Sequence, residues 1–267
     1  MEMDDAYQNA AHIPGGDGYP DKWAAAAAAF RHDATCETDL YYGESPRQVF
    51  DLFHPARLSK GLVIFVHGGY WLRFDKSFWS HLAAGPLAAG WTVAMPSYDL
   101  CPDVRIADIG QQIMTAIATI AERVPGPIRL IGHSAGGQLI ARAAVPRPAA
   151  GWQDRLEKLV PVSPVADLAP LMQTTMNADL RIDAAEAMAE SPVHLAAPRA
   201  ETTVWVGGDE RPAFLAQAYA LATRWECRQV VTKGEHHFSV VEALAVPDSP
   251  LTAELLAEVR HGRDPAP

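Results

Sequence analysis

The chain has 267 residues, 49% of them apolar and 20% charged, which is enough to bury one sizeable core in a single domain spanning 1–267. Its net charge of −10 comes from 32 acidic against 22 basic residues without a basic stripe, so we expect neither nucleic acid nor a membrane as a partner. The three cysteines are far apart and form no CxxC pair, which disfavours a disulfide scaffold or a zinc site and predicts reduced thiols at Cys36, Cys101 and Cys227.

The first part of the chain carries no pattern typical of an export signal. Residues 1–5 are acidic and lack the basic and then apolar order of a secretory signal. The alanine-rich run at 24–29 is too short to span a bilayer, which takes roughly 20 apolar residues. It is better interpreted as part of a helix over 22–31 that is capped by Asp21. We therefore expect a cytoplasmic protein, and we expect residues 1–20, which are polar and rich in Gly and Pro, to form an irregular lead-in.

Strand and helix patterns alternate along the rest of the chain. The run at 62–66 is apolar throughout, as in a strand that is buried on both faces of a parallel sheet. The expected strands are 40–42, 48–53, 62–66, 92–95, 128–131, 159–162, 202–206 and 229–232. The expected helices after the first are 77–89, 105–123, 138–144, 212–224, 239–245 and 250–260. This alternation predicts the α/β class, with a doubly wound and mostly parallel sheet that binds ligands at the carboxyl ends of its strands.

The stretch 166–198 interrupts this alternation. It combines short helical pieces with three prolines, and it comes shortly after a predicted strand. We interpret it as a small cap that is inserted between two strands and lies over the site. The alternative is a surface excursion with no functional role.

A G-x-S-x-G motif centred on Ser134 follows the predicted strand at 128–131. Gly132, Gly136 and Gly137 permit the abrupt turn from strand to helix that exposes a serine hydroxyl at the edge of a sheet. A serine in such a turn is the typical nucleophile of acyl-transfer hydrolysis. The alternative is an ordinary glycine-rich turn with a serine that caps a helix.

Two further glycines follow the apolar strand at 62–66, in the loop 67–71 with the sequence His-Gly-Gly-Tyr-Trp. Acyl transfer builds negative charge on a carbonyl oxygen, and backbone N–H groups that point at this oxygen stabilise the transition state. The candidate residues for this oxyanion hole are Gly68, Gly69, Tyr70 and Ala135. Tyr70 and Trp71 are also candidates for substrate binding, the alternative being that they brace the loop.

A serine hydroxyl needs a general base within hydrogen-bonding distance. His237 follows the last predicted strand and precedes the closing helices, so it is the expected base. His236 is expected to lie behind it or to face solvent. His133, although next to the serine in the chain, is expected to point away from it.

The base in turn needs a carboxylate that orients it, and the expected chain order is serine, acid, histidine. The loop after the strand at 202–206 holds two adjacent carboxylates, Asp209 and Glu210. Its spacing favours Glu210 as the acid, and Asp209 stays open as the alternative.

With these motifs, the chain resembles the kynurenine formamidase (arylformamidase) group of α/β-hydrolases, close to the hormone-sensitive-lipase-like esterases. The loop 67–71 is the most specific match, because this family carries HGGxW where lipases carry HGGG. The other matching segments are 7–9 with Pro14, 42–43, 51–55, 98–102, 132–137, 207–210 with Pro212 and Phe214, and 237–238.

The resemblance implies an α/β-hydrolase fold, with Ser134 as nucleophile, His237 as base and the loop 67–71 as part of the oxyanion hole. It places the acid on Glu210. Many members of the family carry aspartate at this position, so Asp209 remains an alternative candidate for the acid. The named activity of the family is hydrolysis of N-formyl-L-kynurenine to L-kynurenine and formate, and relatives with the same motifs cleave small aryl or acyl esters. No cofactor and no metal are implied.

We therefore expect a serine hydrolase that cleaves a small acyl or formyl group from an arylamide or ester through an acyl-enzyme. Its expected partner is a small-molecule acyl substrate, and a homodimer is an assembly to be tested. One alternative is a general carboxylesterase or thioesterase. A second is a non-catalytic protein that binds a ligand on the same scaffold.

Overall fold

Short apolar runs form the centre of one eight-stranded sheet in the computed structural model, which describes residues 2–147 and 151–259. The strands are β1 (Cys36–Tyr41), β2 (Val49–Phe53), β3 (Leu62–Val66), β4 (Thr92–Pro96), β5 (Ile128–His133), β6 (Leu156–Val162), β7 (Glu201–Gly207) and β8 (Arg228–Thr232). Their order in the sheet is β1-β2-β4-β3-β5-β6-β7-β8. The pairs β1–β2 and β2–β4 are antiparallel and the others are parallel, which confirms the predicted α/β class and mostly parallel sheet.

The central strand β3 shows why both faces of the sheet are covered. All five of its residues are buried. Because successive side chains of a strand point to opposite faces, Leu62, Ile64 and Val66 join one hydrophobic cluster, whereas Val63 and Phe65 join another. Each face of the sheet therefore has its own core.

Helices supply the other half of each core. They are α1 (Glu2–Tyr7), α2 (Tyr19–Asp33), α3 (Ala84–Ala88), α4 (Ile106–Arg123), α5 (Ala135–Ala144), α6 (Asn177–Leu180), α7 (Ala184–Glu190), α8 (Pro212–Arg224) and α9 (Pro250–Leu256). Apolar residues of α4, α5 and α8 pack on one face of the sheet, and those of α2 and α9 pack on the other. Within the described ranges, none of the helices combines the length and the apolar character that a membrane span requires.

Three predicted helices differ from the observed ones. The region 77–89 forms 3₁₀ turns and only then α3, which has Pro86 in its first turn, where the missing N–H of proline costs no helical hydrogen bond. The region 239–245 keeps one 3₁₀ turn, Glu242–Ala245. The helix predicted over 22–31 begins earlier, at Tyr19 with Pro20 in its first turn, so Asp21 is not its cap.

The N-terminal segment, defined as residues 2–20, is not the irregular lead-in that its composition predicted. It contains α1 and two 3₁₀ turns, Ala10–His12 and Gly16–Gly18. Tyr7 is buried, and its hydroxyl accepts a hydrogen bond of 2.8 Å from Gln217 Nε2 on α8. Contacts with distant parts of the chain, rather than a local pattern, therefore order this segment.

Candidate active site

Ser134 occupies the turn between β5 and α5, at the carboxyl end of a central strand. Its backbone has φ 57° and ψ −117°, a conformation that residues other than glycine rarely adopt. The Ser134 N–H donates to the Val162 carbonyl at 2.9 Å, and the Ser134 carbonyl accepts from the Gln138 N–H at 3.2 Å. These bonds hold a strained backbone in place, as is typical of functional sites.

The glycines around Ser134 are required by close packing of the backbone. A Cβ atom on Gly132 would lie 2.3 Å from the Gly136 carbonyl oxygen, and one on Gly136 would lie 2.0 Å from the Val66 carbonyl oxygen. Neither contact is possible without displacing the main chain of β3 or of the turn. The glycines of the G-x-S-x-G motif are therefore also required for close packing of the turn against β3.

We expect Gly136→Ala to lower the free energy of unfolding by more than about 2 kcal/mol, because its methyl group meets rigid backbone rather than a movable side chain. Urea denaturation would measure the change. Gly151→Ala is the matched control, since a Cβ there meets no atom of residues 2–147 and 151–259 within 4 Å. We expect the control to stay within about 0.5 kcal/mol of the wild type. Equal stability of the two variants would contradict this account of the turn.

The structure brings His237 and Glu210 together. His237 Nδ1 and Glu210 Oε2 are 2.6 Å apart, and both side chains are buried. The other carboxylate oxygen, Oε1, accepts from the Gly207 N–H at 2.8 Å and from the Ser163 hydroxyl. An ionised carboxylate can only accept hydrogen bonds, so the His237 proton lies on Nδ1 and Nε2 is left as the basic nitrogen.

Ser163 is a residue of this site that the sequence reasoning missed. It follows β6 directly, with φ 48°, and its N–H donates to the Trp205 carbonyl at 2.7 Å. The sequence signal for it, which was not used, is a serine at the carboxyl end of a predicted buried strand. Its hydroxyl helps to fix the Glu210 carboxylate.

Asp209 and His236 lie away from the pair formed by His237 and Glu210. Asp209 is exposed, and its N–H donates to the Glu235 carbonyl at 2.9 Å. His236 is half-buried. Its Nδ1 accepts the N–H groups of Phe238 and Ser239, and its Nε2 lies 3.2 Å from the Tyr19 hydroxyl. Of the two carboxylates that the sequence left open, Glu210 is the one that contacts the histidine.

The His133 ring packs against His237, with the two ring centroids 4.7 Å apart. It lines the same cavity as Ser134, and its Nε2 donates to the His237 carbonyl at 2.8 Å. Burial holds the pKa of the His133 imidazole well below its ordinary value, and the neighbouring His237 acts in the same direction. His133 is therefore a neutral donor that ties the serine turn to the His237 loop.

The residues proposed for the oxyanion hole surround Ser134. Gly68 packs on the turn itself, since a Cβ there would lie 2.9 Å from Ser134 Cβ. Gly69 (φ 115°) and Tyr70 (φ 54°) line the cavity with Ser134, and Ala135 is the first residue of α5. Within the described residues, no hydrogen bond uses the N–H groups of these four residues as donors. The N–H of the first residue of a helix has no partner within the helix, so it is open to a ligand oxygen.

Ser134 and His237 line one cavity of about 630 Å³. Aromatic side chains form much of its wall, namely those of Tyr7, Trp23, Tyr70, Phe74, Trp79 and Phe238. The stretch 166–198, which lies between β6 and β7, contributes Thr175 and Met176. The N-terminal segment contributes more, including Tyr7, Asn9, Ala10, Asp17 and Pro20. The N-terminal segment thus contributes more residues to the wall of the cavity than the stretch 166–198, which was expected to cover the site.

Trp71 was a candidate for substrate binding, and its position in the structure contradicts this prediction. Trp71 is fully buried and lies outside the cavity lining, and its Nε1 donates to Gln138 Oε1 at 3.1 Å. The position of Trp71 fits the alternative hypothesis, in which this side chain stabilises the loop 67–71. Tyr70 does line the cavity, with its hydroxyl held by the N-terminal segment.

The cavity holds a hydroxyl and an imidazole, Ser134 and His237, and the Glu210 carboxylate contacts that imidazole from outside the lining. With the backbone N–H groups beside Ser134, these are the groups that nucleophilic acyl transfer requires. Residues 2–147 and 151–259 contain no group of three or more His, Cys, Asp or Glu side chains placed to hold a metal ion.

Comparisons with known proteins concern the family and the fold of the chain. A family described as having the alpha/beta hydrolase fold matches residues 63–231. The chain is 26% identical to kynurenine formamidase of Salmo salar over 238 residues, 80% of this chain and 79% of that protein. It is 29% identical to kynurenine formamidase of Drosophila melanogaster over 234 residues, 79% of this chain and 77% of that protein. A crystal structure from Silicibacter sp. tm1040, provisionally described as a thioesterase, is 51% identical with a TM-score of 0.94, covering 96% of this chain and 100% of that one.

Proposed function

The protein belongs to the α/β-hydrolase family, and from that premise we propose that it is a serine hydrolase that removes a small acyl or formyl group from an arylamide or ester. The observation that carries the proposal is the buried contact of 2.6 Å between His237 Nδ1 and Glu210 Oε2, at the same cavity as Ser134. This contact leaves the second imidazole nitrogen of His237 available as a base.

In the proposed reaction, His237 Nε2 takes the proton of Ser134 as the serine oxygen attacks the carbonyl carbon. The N–H groups of Ala135 and of the loop 68–70 stabilise the oxyanion that forms. The bond to the leaving group then breaks as His237 returns the proton to it. Water, deprotonated by the same imidazole, attacks the acyl carbon of the acyl-enzyme. The bond from this carbon to the Ser134 oxygen then breaks, His237 returns the proton to that oxygen, and the acid is released. Glu210 orients the imidazole and stabilises its charged form.

The aromatic wall supports an aryl leaving group. A formyl group offers almost no surface for binding, so affinity for a formyl substrate has to come from the leaving group. Tyr70, Phe74 and Phe238 supply apolar surface in the cavity that holds Ser134. Because relatives of this chain are named kynurenine formamidase, we propose N-formyl-L-kynurenine as the first substrate to test.

A second candidate function is that of a general carboxylesterase or thioesterase. The observation that favours it is the thioesterase description of the Silicibacter structure, which shares half of its residues with this chain. The same groups would perform this reaction, because ester, thioester and amide hydrolysis share an acyl-enzyme route.

A substrate panel on the purified protein separates the candidates. We expect kcat/KM for N-formyl-L-kynurenine to exceed that for p-nitrophenyl acetate and for an acyl-CoA by at least about 10-fold, a difference that corresponds to about 1.4 kcal/mol. A fluorophosphonate probe should label Ser134. A preference for the ester or the acyl-CoA would support the second function. Absence of labelling together with absence of turnover would leave only a ligand-binding protein.

We further propose that the protein acts in the cytoplasm on a small-molecule substrate, and that it forms a homodimer. The free state of Cys36, Cys101 and Cys227 supports a reducing compartment. Cell fractionation would test the compartment, and light scattering would test the dimer. Recovery of the protein in a secreted fraction, or the mass of a single chain in solution, would contradict the respective proposal.

A further inference from the structure

The hydroxyl group of Tyr70 fixes the orientation of a neighbouring amide. This hydroxyl carries one proton and lies 2.6 Å from the Tyr7 carbonyl oxygen, which can only accept. Burial raises the pKa of the Tyr70 hydroxyl above its ordinary value, so the proton stays in place. Toward its second neighbour, Asn9, the Tyr70 oxygen can therefore act only as an acceptor. Asn9 Nδ2 donates to it at 3.3 Å, and the side-chain oxygen of Asn9 has to point elsewhere.

That oxygen, Asn9 Oδ1, is a buried acceptor that receives no hydrogen bond from any described residue. Asn9 is 6% exposed, and it lines the cavity that holds Ser134 and His237. An amide oxygen that is shielded from water and left without a donor is energetically unfavourable. A donor supplied by a ligand would satisfy it.

The backbone that carries Asn9 is held in place before any ligand binds. Asp4 Oδ1 accepts the Thr175 N–H at 2.6 Å, and Asp5 Oδ2 accepts from Arg211 Nη2 at 2.5 Å. Together with the contacts of Tyr7, these bonds attach the N-terminal segment to three separate parts of the fold. The position of the Asn9 amide is thus preorganised, which limits the conformational entropy that the protein loses when a ligand contacts it.

We infer that Asn9 is a specificity-determining residue that accepts a hydrogen bond from the N–H of the leaving group, and that it selects arylamide substrates over the corresponding esters. The inference rests on the proposed hydrolase function and deepens it. An ester has an oxygen where the amide has N–H, so it leaves Asn9 Oδ1 without a donor. A site built to hydrogen-bond a substrate group discriminates strongly against an analogue that lacks the group.

Formanilide and phenyl formate test the inference, because they share the formyl and phenyl groups and differ only in N–H against O. We expect Asn9→Ala to lower kcat/KM for formanilide by about 10- to 100-fold and that for phenyl formate by less than about 3-fold, after subtraction of spontaneous hydrolysis. Gln111→Ala removes the same amide group from an exposed position of α4 that does not line the cavity. This control should keep the wild-type ratio between the two substrates. An equal loss on both substrates in Asn9→Ala would overturn the inference.

A second measurement does not depend on how the variant folds. N-methylformanilide lacks the N–H, and we expect the wild-type enzyme to hydrolyse it with a kcat/KM at least about 10-fold below that for formanilide. If the wild-type enzyme hydrolyses both amides equally well, the inference is wrong. Fluorophosphonate labelling of Ser134, measured in parallel, separates the two proposals. Loss of labelling in the wild type contradicts the hydrolase function, whereas intact labelling with an unchanged substrate ratio contradicts only the role of Asn9.

Discussion

Replacing Ser134 with alanine is expected to lower kcat for every acyl substrate by about 10⁵- to 10⁶-fold, since the variant has no oxygen to form the acyl-enzyme. The residual rate would come from the oxyanion donors and from substrate positioning, which the substitution leaves in place. Steady-state kinetics on N-formyl-L-kynurenine and p-nitrophenyl acetate would measure the loss.

The same variant separates loss of chemistry from loss of structure. Alanine removes one buried oxygen and leaves the turn glycines untouched, so the melting temperature should change by only a few degrees. Calorimetric titration with substrate should still show binding, because the cavity wall is unchanged. Turnover by Ser134→Ala at a rate near that of the wild type would remove Ser134 from the mechanism.

Glu210→Gln should lower kcat by about 10³- to 10⁴-fold, whereas Asp209→Asn should change it by less than about 3-fold. A glutamine at 210 presents an amide that can donate to His237 Nδ1. The proton would then move to Nε2, the nitrogen that has to accept the serine proton. The variant also loses the negative charge that stabilises the imidazolium ion during the reaction.

Asp209→Asn is the matched control, because it makes the same chemical change one position earlier on an exposed side chain. Rates of acylation and deacylation, measured in the pre-steady state, should both fall in Glu210→Gln, since His237 serves both steps. If Asp209→Asn lost the larger share of activity, the contact of 2.6 Å between His237 and Glu210 would not be the one used in catalysis.

The turn at Ser134 was predictable from sequence because each of its requirements is local. Gly132 and Gly136 lie within two residues of the serine, and the apolar strand before it has a clear pattern. The same holds for β3, whose five apolar residues match the predicted strand. The mostly parallel sheet follows from such local signals repeated along the chain, and the family was indicated by a resemblance in short motifs.

For the acid, the spacing of the loop favoured Glu210 but did not exclude Asp209. The two carboxylates are adjacent in one loop, and a shift of one residue in the backbone path would exchange their roles. Tyr70 and Trp71 present the same difficulty. Both have positive φ values, 54° and 57°, so the alternation of a strand does not apply, and one lines the cavity while the other is buried against Gln138.

The N-terminal segment was missed for a different reason. Amino-acid composition reflects only the local conformational preference of a segment, and the glycine and proline residues of this segment indicate irregular structure. Tyr7 is ordered instead by Gln217 and by Tyr70, which no window of neighbouring residues contains.

The attachment of this segment also has a consequence for the order in which the protein folds. Its bonds join Tyr7, Asp4 and Asp5 to residues 63, 171 and 206 positions further along the chain. Closing such long loops is entropically costly until the partners are already in place. The sheet and α8 therefore have to assemble before the segment can dock. Enzymatic competence should accordingly return after the bulk of the secondary structure during refolding, with the pocket among the last parts of the molecule to be completed.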